Sequence, residues 1–343
     1  MSLLDTDFPV MGARGRLVLA DRVAGPQPSP RLEHAAAGAR ALLAELERRW
    51  TRFDAASDLN ALTGDARTEL PAHEHVRALI RAGAWAGRRS GGLVDMTLGA
   101  QIAQAGYDRH WAGETASLPE ALAAAPPRAA ASPDPAARWQ ALGADRRAGT
   151  IRRPVGVVLD SGGLGKGLAA DMVAARLAGL RFVVDVGGDL ALGHGGGGPH
   201  EVTVTHPLTG AVAHRFALGG GGVATSGIHR RLWLDRDGAP AHHLLDPSTG
   251  RPAWTGLLAA TAVGRSALEA EVLAKAALLR GPRGARAALA ANGGVLIHED
   301  GAVEVIPALA RIAQRAVAAG DDGPPTSRRI ARRAARDLAA ATA

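Results

Sequence analysis

The chain has 343 residues, of which 47% are hydrophobic and only 3% aromatic, enough for one large domain or two intertwined lobes cored by Leu, Val and Ala. It has no cysteine, which excludes disulfides and thiolate metal sites and leaves oxygen or imidazole as ligands for any metal. The formal charge of +7 is arginine spread along the chain with no aromatic interleaving, so no nucleic-acid partner is expected.

The N-terminal run Met1-Ser-Leu-Leu-Asp-Thr-Asp has neither a basic n-region nor an apolar h-region. No later stretch has the length of a membrane-spanning helix, so a cytoplasmic protein without a transmembrane segment is expected. Gly15–Asp21 reads as a first strand, and Pro26, Pro28 and Pro30 then break the chain. Leu32, Ala36, Ala39, Leu43, Leu46 and Trp50 recur at helical spacing and predict a helix over Arg31–Trp50. A second helix is expected over His75–Ser90, closed by Gly91-Gly92. Residues 112–150 are rich in Ala and Pro and read as a peripheral insertion. Val155–Asp160 reads as a short apolar strand leading into a glycine-rich run, and a helix follows with Ala169, Met172, Val173 and Leu177 on one face. Strands are expected at Phe182–Val186 and Glu201–Thr205, with a turn at Gly187-Gly188 and a flexible loop tip at Gly193–Gly198. The last core helix is expected over Ala267–Leu279. There is no clean βαβ repeat, which points to an α+β fold. From residue 307 the chain is an Ala/Arg-rich tail, whose segment Thr326–Ala343 places Ile330, Ala334 and Leu338 on one helical face. Weak docking of this basic tail to a partner or anionic surface is one reading, and a solvated, frayed terminus the other.

Two local signals carry chemistry. The run Asp160-Ser-Gly-Gly-Leu-Gly-Lys-Gly167 combines glycines that allow close backbone approach, a following helix N-terminus and the ammonium of Lys166. These suit a diphosphate. The glycine spacing is not that of a Walker A loop, and Gly167 stands where Ser or Thr would hold a metal; a tight turn without ligand explains the local pattern as well. The second signal is cation choice. The chain uses 38 arginines and only two lysines, Lys166 and Lys275, which suggests that a compact ammonium is needed at those two places.

Further segments accompany these. They are Pro9-Val-Met-Gly12, Arg52-Phe-Asp-Ala-Ala-Ser57-Asp-Leu-Asn60, Gly92-Leu-Val-Asp95-Met-Thr97, Ala105-Gly-Tyr107-Asp108 and Val186-Gly-Gly-Asp189. Later come Ala224-Thr-Ser226-Gly227 and His242-His243-Leu-Leu-Asp246-Pro-Ser-Thr-Gly250-Arg-Pro252. In order and spacing, from about Met11 to Gly281, the set resembles the FAD:protein FMN transferase (ApbE) family in an actinobacterial-like cytoplasmic form.

The resemblance implies a two-lobed, T-fold-like α+β architecture of mixed sheets flanked by helices over residues 1–306, with 307–343 as the tail. It implies FAD as substrate, Mg2+ as a metal, and transfer of FMN to a Ser or Thr hydroxyl of a target flavoprotein with release of AMP. Carried over by position, Met11, Phe53, Ala105, Gly106, Tyr107, Asp160, Lys166 and Leu245 would contact the flavin nucleotide. Lys166 would also serve catalysis, and Gly163 would offer its carbonyl to the metal. His243 would be the general base, since imidazole titrates near working pH; a capping histidine is the bland alternative.

The sequence departs from the family's pattern at the metal site, where an Asp and a Thr four residues apart become Glu271 and Lys275. Glu and Lys in that order also make a simple helix pair worth roughly 0.3 kcal/mol. Three readings stand: a salt bridge, a transferase in which Lys275 takes over charge from the metal, or an FAD-binding protein or slow FAD diphosphatase that has lost transfer.

Overall fold

Eight strands form one sheet in which spatial neighbours follow chain order, and every ladder between them is antiparallel. They are Leu3–Val10 (β1), Ala13–Ala20 (β2), Arg181–Val186 (β3), Asp189–His194 (β4), Gly220–Gly227 (β5), Leu257–Gly264 (β6), Gly294–His298 (β7) and Val303–Ile306 (β8). These come from a computed structural model that describes residues 2–23, 25, 27–109 and 116–308. The tail from residue 309 and the first part of the 112–150 segment lie outside the described residues.

The α+β architecture is as expected, and its helices sit in the excursions between consecutive strands. Pro30–Trp50 (α1) starts with Ser29 accepting from Leu32 N at 3.3 Å and with proline in the first turn, a favourable pairing of cap and fixed φ. Glu74–Ser90 (α2) ends at Gly91, whose φ of 69° is the left-handed conformation glycine reaches without strain. Gly165–Ala174 (α3) follows the glycine-rich run. Ala267–Leu279 (α4) spans the expected residues, and its first turn is capped from outside. Asp171 of α3 accepts from Ala267 N at 2.8 Å and Leu268 N at 3.0 Å. That satisfies two of the N–H groups a helix start leaves open.

Two large hydrophobic cores result, with two smaller clusters beside them. One joins Leu17, Leu19 and Val184 of the sheet to α1, α2 and α3. The other lies around β6 and β7. Helix α4 is the wall between them, giving Leu268 and Val272 to the first and Leu273 and Ala277 to the second. A helix apolar on all sides belongs inside, and of its thirteen residues only Lys275 is not buried.

Some expectations are corrected. Residues 155–160 join no ladder. Their backbone is satisfied by the 96–99 segment instead, with Asp160 N bonding Met96 O at 2.8 Å and Gly99 N bonding Val158 O at 3.0 Å. The neighbouring strand is Thr150–Arg152, which pairs with Glu69–Pro71 and Gly143–Asp145 in a small separate sheet. The first strand is preceded by another, β1, and the expected loop at Gly193–Gly198 begins later because β4 runs through His194.

Among the described residues, no helix is long and apolar enough to cross a membrane.

Candidate functional site

The end of α1, the β1–β2 turn, the start of α3 and Lys275 of α4 converge on two adjoining clefts. The clefts share Tyr107, Asp160, Gly162 and Arg231. One is lined by Met11, Phe53 and Lys166, the other by Gly163, His243, Leu245 and Lys275. Nine of the site residues singled out in the sequence therefore meet in one place. Met11 reaches it from a two-residue turn in which its own φ is 48° and that of Gly12 is 65°. Left-handed backbone is natural at Gly12 and costs a side-chain-bearing residue such as Met11 about 1 kcal/mol or more.

Ala105, Gly106 and Glu271 lie behind the lining. Ala105 O accepts from Trp233 Nε1 at 3.0 Å. Gly106 has φ 101°, and a methyl group there would stand 2.9 Å from the same indole nitrogen. The pair braces Trp233, which stacks on Tyr107 at 5.9 Å between centroids. Phe53 meets the Tyr107 ring edge-on at 5.5 Å.

Cations pack on these rings. The Arg52 guanidinium stands 4.2 Å from the Phe53 centroid and that of Arg231 stands 5.4 Å from Tyr107. Arg52 also bonds the carbonyl of Tyr107 and, at 3.0 Å, the carboxylate of Asp160. Arg52 and Arg231 carried no assigned role in the sequence reading. Among 38 arginines nothing sets them apart until the fold brings them to Tyr107.

Lys166 hydrogen-bonds Asp189, which is almost wholly buried below the Gly187-Gly188 turn. Burial works against the ammonium, but the carboxylates of Asp189 and Glu271 outweigh it and raise the pKa of Lys166. Lys275 differs. Burial lowers its pKa, and Glu271 opposes that only in part, with Lys166 adding repulsion. Glu271 holds Gly167 N with Oε2 at 2.8 Å, while Oε1 has no hydrogen-bond partner among the described residues. Burial, reinforced by Asp189, pushes its pKa up to about 7. Gly163 faces the same spot, since a methyl group on it would lie 3.8 Å from Lys275 Cε.

Adjacent histidines part company. His242 is fully buried, edge-on to Trp254 at 4.7 Å, with Nδ1 accepting from Leu244 N at 3.3 Å. His243 lines the cleft. Burial, and then the charges of Arg231 and Lys275, hold its pKa well below that of ordinary imidazole. Its Nδ1 has no hydrogen-bond partner among the described residues. A neutral imidazole beside four cations can accept a proton at neutral pH while the cations stabilise phosphate charge.

Residues 11–297 match the ApbE family. The FAD:protein FMN transferase of Escherichia coli K12 is 33% identical over 142 residues, 39% of this chain and 40% of that protein. Its namesake in Klebsiella pneumoniae is 28% identical over 214 residues, 60% of this chain and 59% of that one. The chain thus aligns with less than two thirds of these relatives' length. Among solved structures, the flavinyl transferase ApbE of Pseudomonas stutzeri is 25% identical with a TM-score of 0.69, covering 89% of this chain and 94% of that one. The ApbE protein of Thermotoga maritima is 22% identical with a TM-score of 0.71, covering 89% and 97%.

Proposed function

The chain belongs to the ApbE family, and from that premise we propose that it transfers FMN from FAD to a Ser or Thr hydroxyl of a target flavoprotein, releasing AMP. The hydroxyl oxygen attacks the FMN-side phosphorus, and the bond from that phosphorus to the bridging oxygen breaks. AMP leaves with the bridging oxygen, and the hydroxyl proton passes to His243. The observation that carries the reading is the grouping of a cleft-lining imidazole of depressed pKa with Lys166, Lys275, Arg52 and Arg231 beside an aromatic wall. The wall of Phe53 and Tyr107, backed by Trp233, suits a flat heteroaromatic ring, and the cations suit the diphosphate.

A divalent ion, which the family pattern implies, does not fit the residues present. Two carboxylate oxygens at the clefts lack a hydrogen-bond partner among the described residues, Asp95 Oδ2 and Glu271 Oε1, but Glu271 Oε1 stands 3.8 Å from Lys275 Nζ, and an ammonium there has no lone pair to give. Lys166 and Lys275 supply the positive charge that the diphosphate needs. The test is incubation with FAD and an acceptor protein bearing an exposed Ser or Thr, with and without chelator, followed by mass and in-gel fluorescence. Covalent flavin formed in chelator is the expected result. FAD binding without transfer under any metal condition overturns the transfer reading.

A further inference from the structure

We propose that Glu45, His73 and His75 form a Zn2+ site at the junction of α1 and α2, separate from the flavin clefts. One ligand atom from each residue lies within 4.8 Å of the others. His75 Nδ1 is 3.4 Å and His73 Nε2 3.9 Å from Glu45 Oε1. Tetrahedral Zn2+ with bonds of about 2.0–2.1 Å sets its ligand atoms about 3.4 Å apart, so the three need move little to share an ion. Two imidazoles and a carboxylate are the donor set that favours Zn2+ over Mg2+ or Ca2+.

The independent pointer is His75. Its side chain is 10% exposed, and Nδ1 is aimed at a carboxylate yet has no hydrogen-bond partner among the described residues. With the ring proton on Nε2, the Nδ1 lone pair and Glu45 Oε1 converge on one point, an arrangement that a cation accepts.

Arg49 bonds Glu45 Oε1 at 3.1 Å but also holds Asp58 at 2.6 Å, so it can rest on Asp58 when an ion takes Glu45. The N-terminus of α2 is unfavourable to a cation, and Glu74 in its first turn offsets this. His73 Nδ1 accepts from His75 N at 3.3 Å. Coordination through Nε2 puts the ring proton on Nδ1, so that long cap bond is exchanged for a metal bond. The His73 side chain is 34% exposed, which gives an entry path and an open fourth position for water. The ion would lie behind Trp50, a residue of the flavin-facing cleft whose indole Nε1 donates to His75 O at 3.2 Å.

Full-length protein stripped with chelator is titrated with ZnCl2 against a chromophoric chelator, alongside Glu45→Gln, His73→Ala, His75→Ala and Glu271→Gln. One Zn2+ per chain is expected in the parent and in Glu271→Gln, with affinity at least tenfold weaker in the other three. Zn2+ should raise the melting temperature of the parent only where it binds, and Co2+ in its place should give the intense visible bands of a four-coordinate site. Glu45→Gln keeps the side-chain shape and guards against a folding artefact, read by circular dichroism. No stoichiometric Zn2+ in the parent, equal binding by all variants, or binding lost with Glu271→Gln overturns the assignment.

Discussion

Lys275 Nζ stands 3.8 Å from Glu271 Oε1, one helical turn along α4, at the only place where that helix is not buried. The pair lies beside Gly163 and the cleft, so its worth is electrostatic more than structural. Lys275→Met is expected to lower the chelator-resistant transfer rate by about 10²–10³-fold, the scale of losing one fixed transition-state partner. Lys275→Thr removes the ammonium and leaves Glu271 Oε1 open, so Mg2+ is expected to restore part of its rate. Transfer assays with and without EDTA decide the matter, and a parent enzyme silenced by EDTA contradicts the neutralising role of Lys275.

His243 and His242 make a matched pair of controls. His243→Ala is expected to slow flavinylation by about 10²–10⁴-fold with little change in FAD affinity. His242→Ala is expected to keep most of the rate and lose about 1–3 kcal/mol of stability, because it empties a fully buried position against Trp254. Rates, flavin titration and melting curves separate the two. A slower His242→Ala enzyme would show that the proton acceptor has been misassigned.

The depressed pKa of His243 also predicts a pH profile. Its imidazole stays neutral, and so able to accept a proton, to lower pH than an ordinary imidazole does. An ordinary imidazole would be half protonated near pH 6.5. The His243-dependent loss of rate is therefore expected with its midpoint below 6.5. The difference between parent and His243→Ala across pH tests this, and a gap that closes with a midpoint at 6.5 refutes it.

Gly167 lets α3 and α4 touch. A methyl group there would stand 2.7 Å from Ala267 O and 2.9 Å from Glu271 Oε2. Gly167→Ala is expected to cost about 1–3 kcal/mol in denaturant unfolding. An unchanged midpoint would mean that the helices separate freely.

Asp171 links stability to pH. Burial raises its pKa to about 6, although Leu268 N and Ala267 N favour the carboxylate. The folded state therefore holds this proton more tightly than the unfolded chain, whose Asp titrates near 3.9. Its contribution to stability is full below about pH 4 and is lost as pH rises through 6. Asp171→Asn is expected to flatten that part of the stability profile, measured by thermal melts between pH 4 and 8. A slope identical to the parent's would exclude the linkage.

The legibility of the sequence varied with how locally each feature is determined. Helix α4 could be read to its end residues, because Ser266 caps it and apolar residues recur in every turn through Leu279. Strand β1 was missed because exposed residues alternate along nearly its whole length, leaving no apolar run to see. Val155–Asp160 misled for the opposite reason. It is apolar and carries buried side chains, yet its backbone partners lie in an irregular segment rather than a strand. At the site, the two lysines stood out by rarity, whereas Arg52, Arg231 and Asp189 acquire meaning only from tertiary contacts.

The order of strands in the sheet sets a timetable for synthesis. β2 pairs with β3, with Leu17 opposite Val184. At a translation rate of 5–20 residues per second, the inner edge of the β1–β2 hairpin waits about 10–30 s for its partner to be made. Leu17 and Leu19, later fully buried, are without their sheet neighbour for that time. The ion pairs Arg14–Asp7 and Arg16–Asp5 run along the same hairpin. Charges on an unpaired strand discourage edge-to-edge association, so these exposed pairs disfavour pairing of the waiting hairpin with another chain.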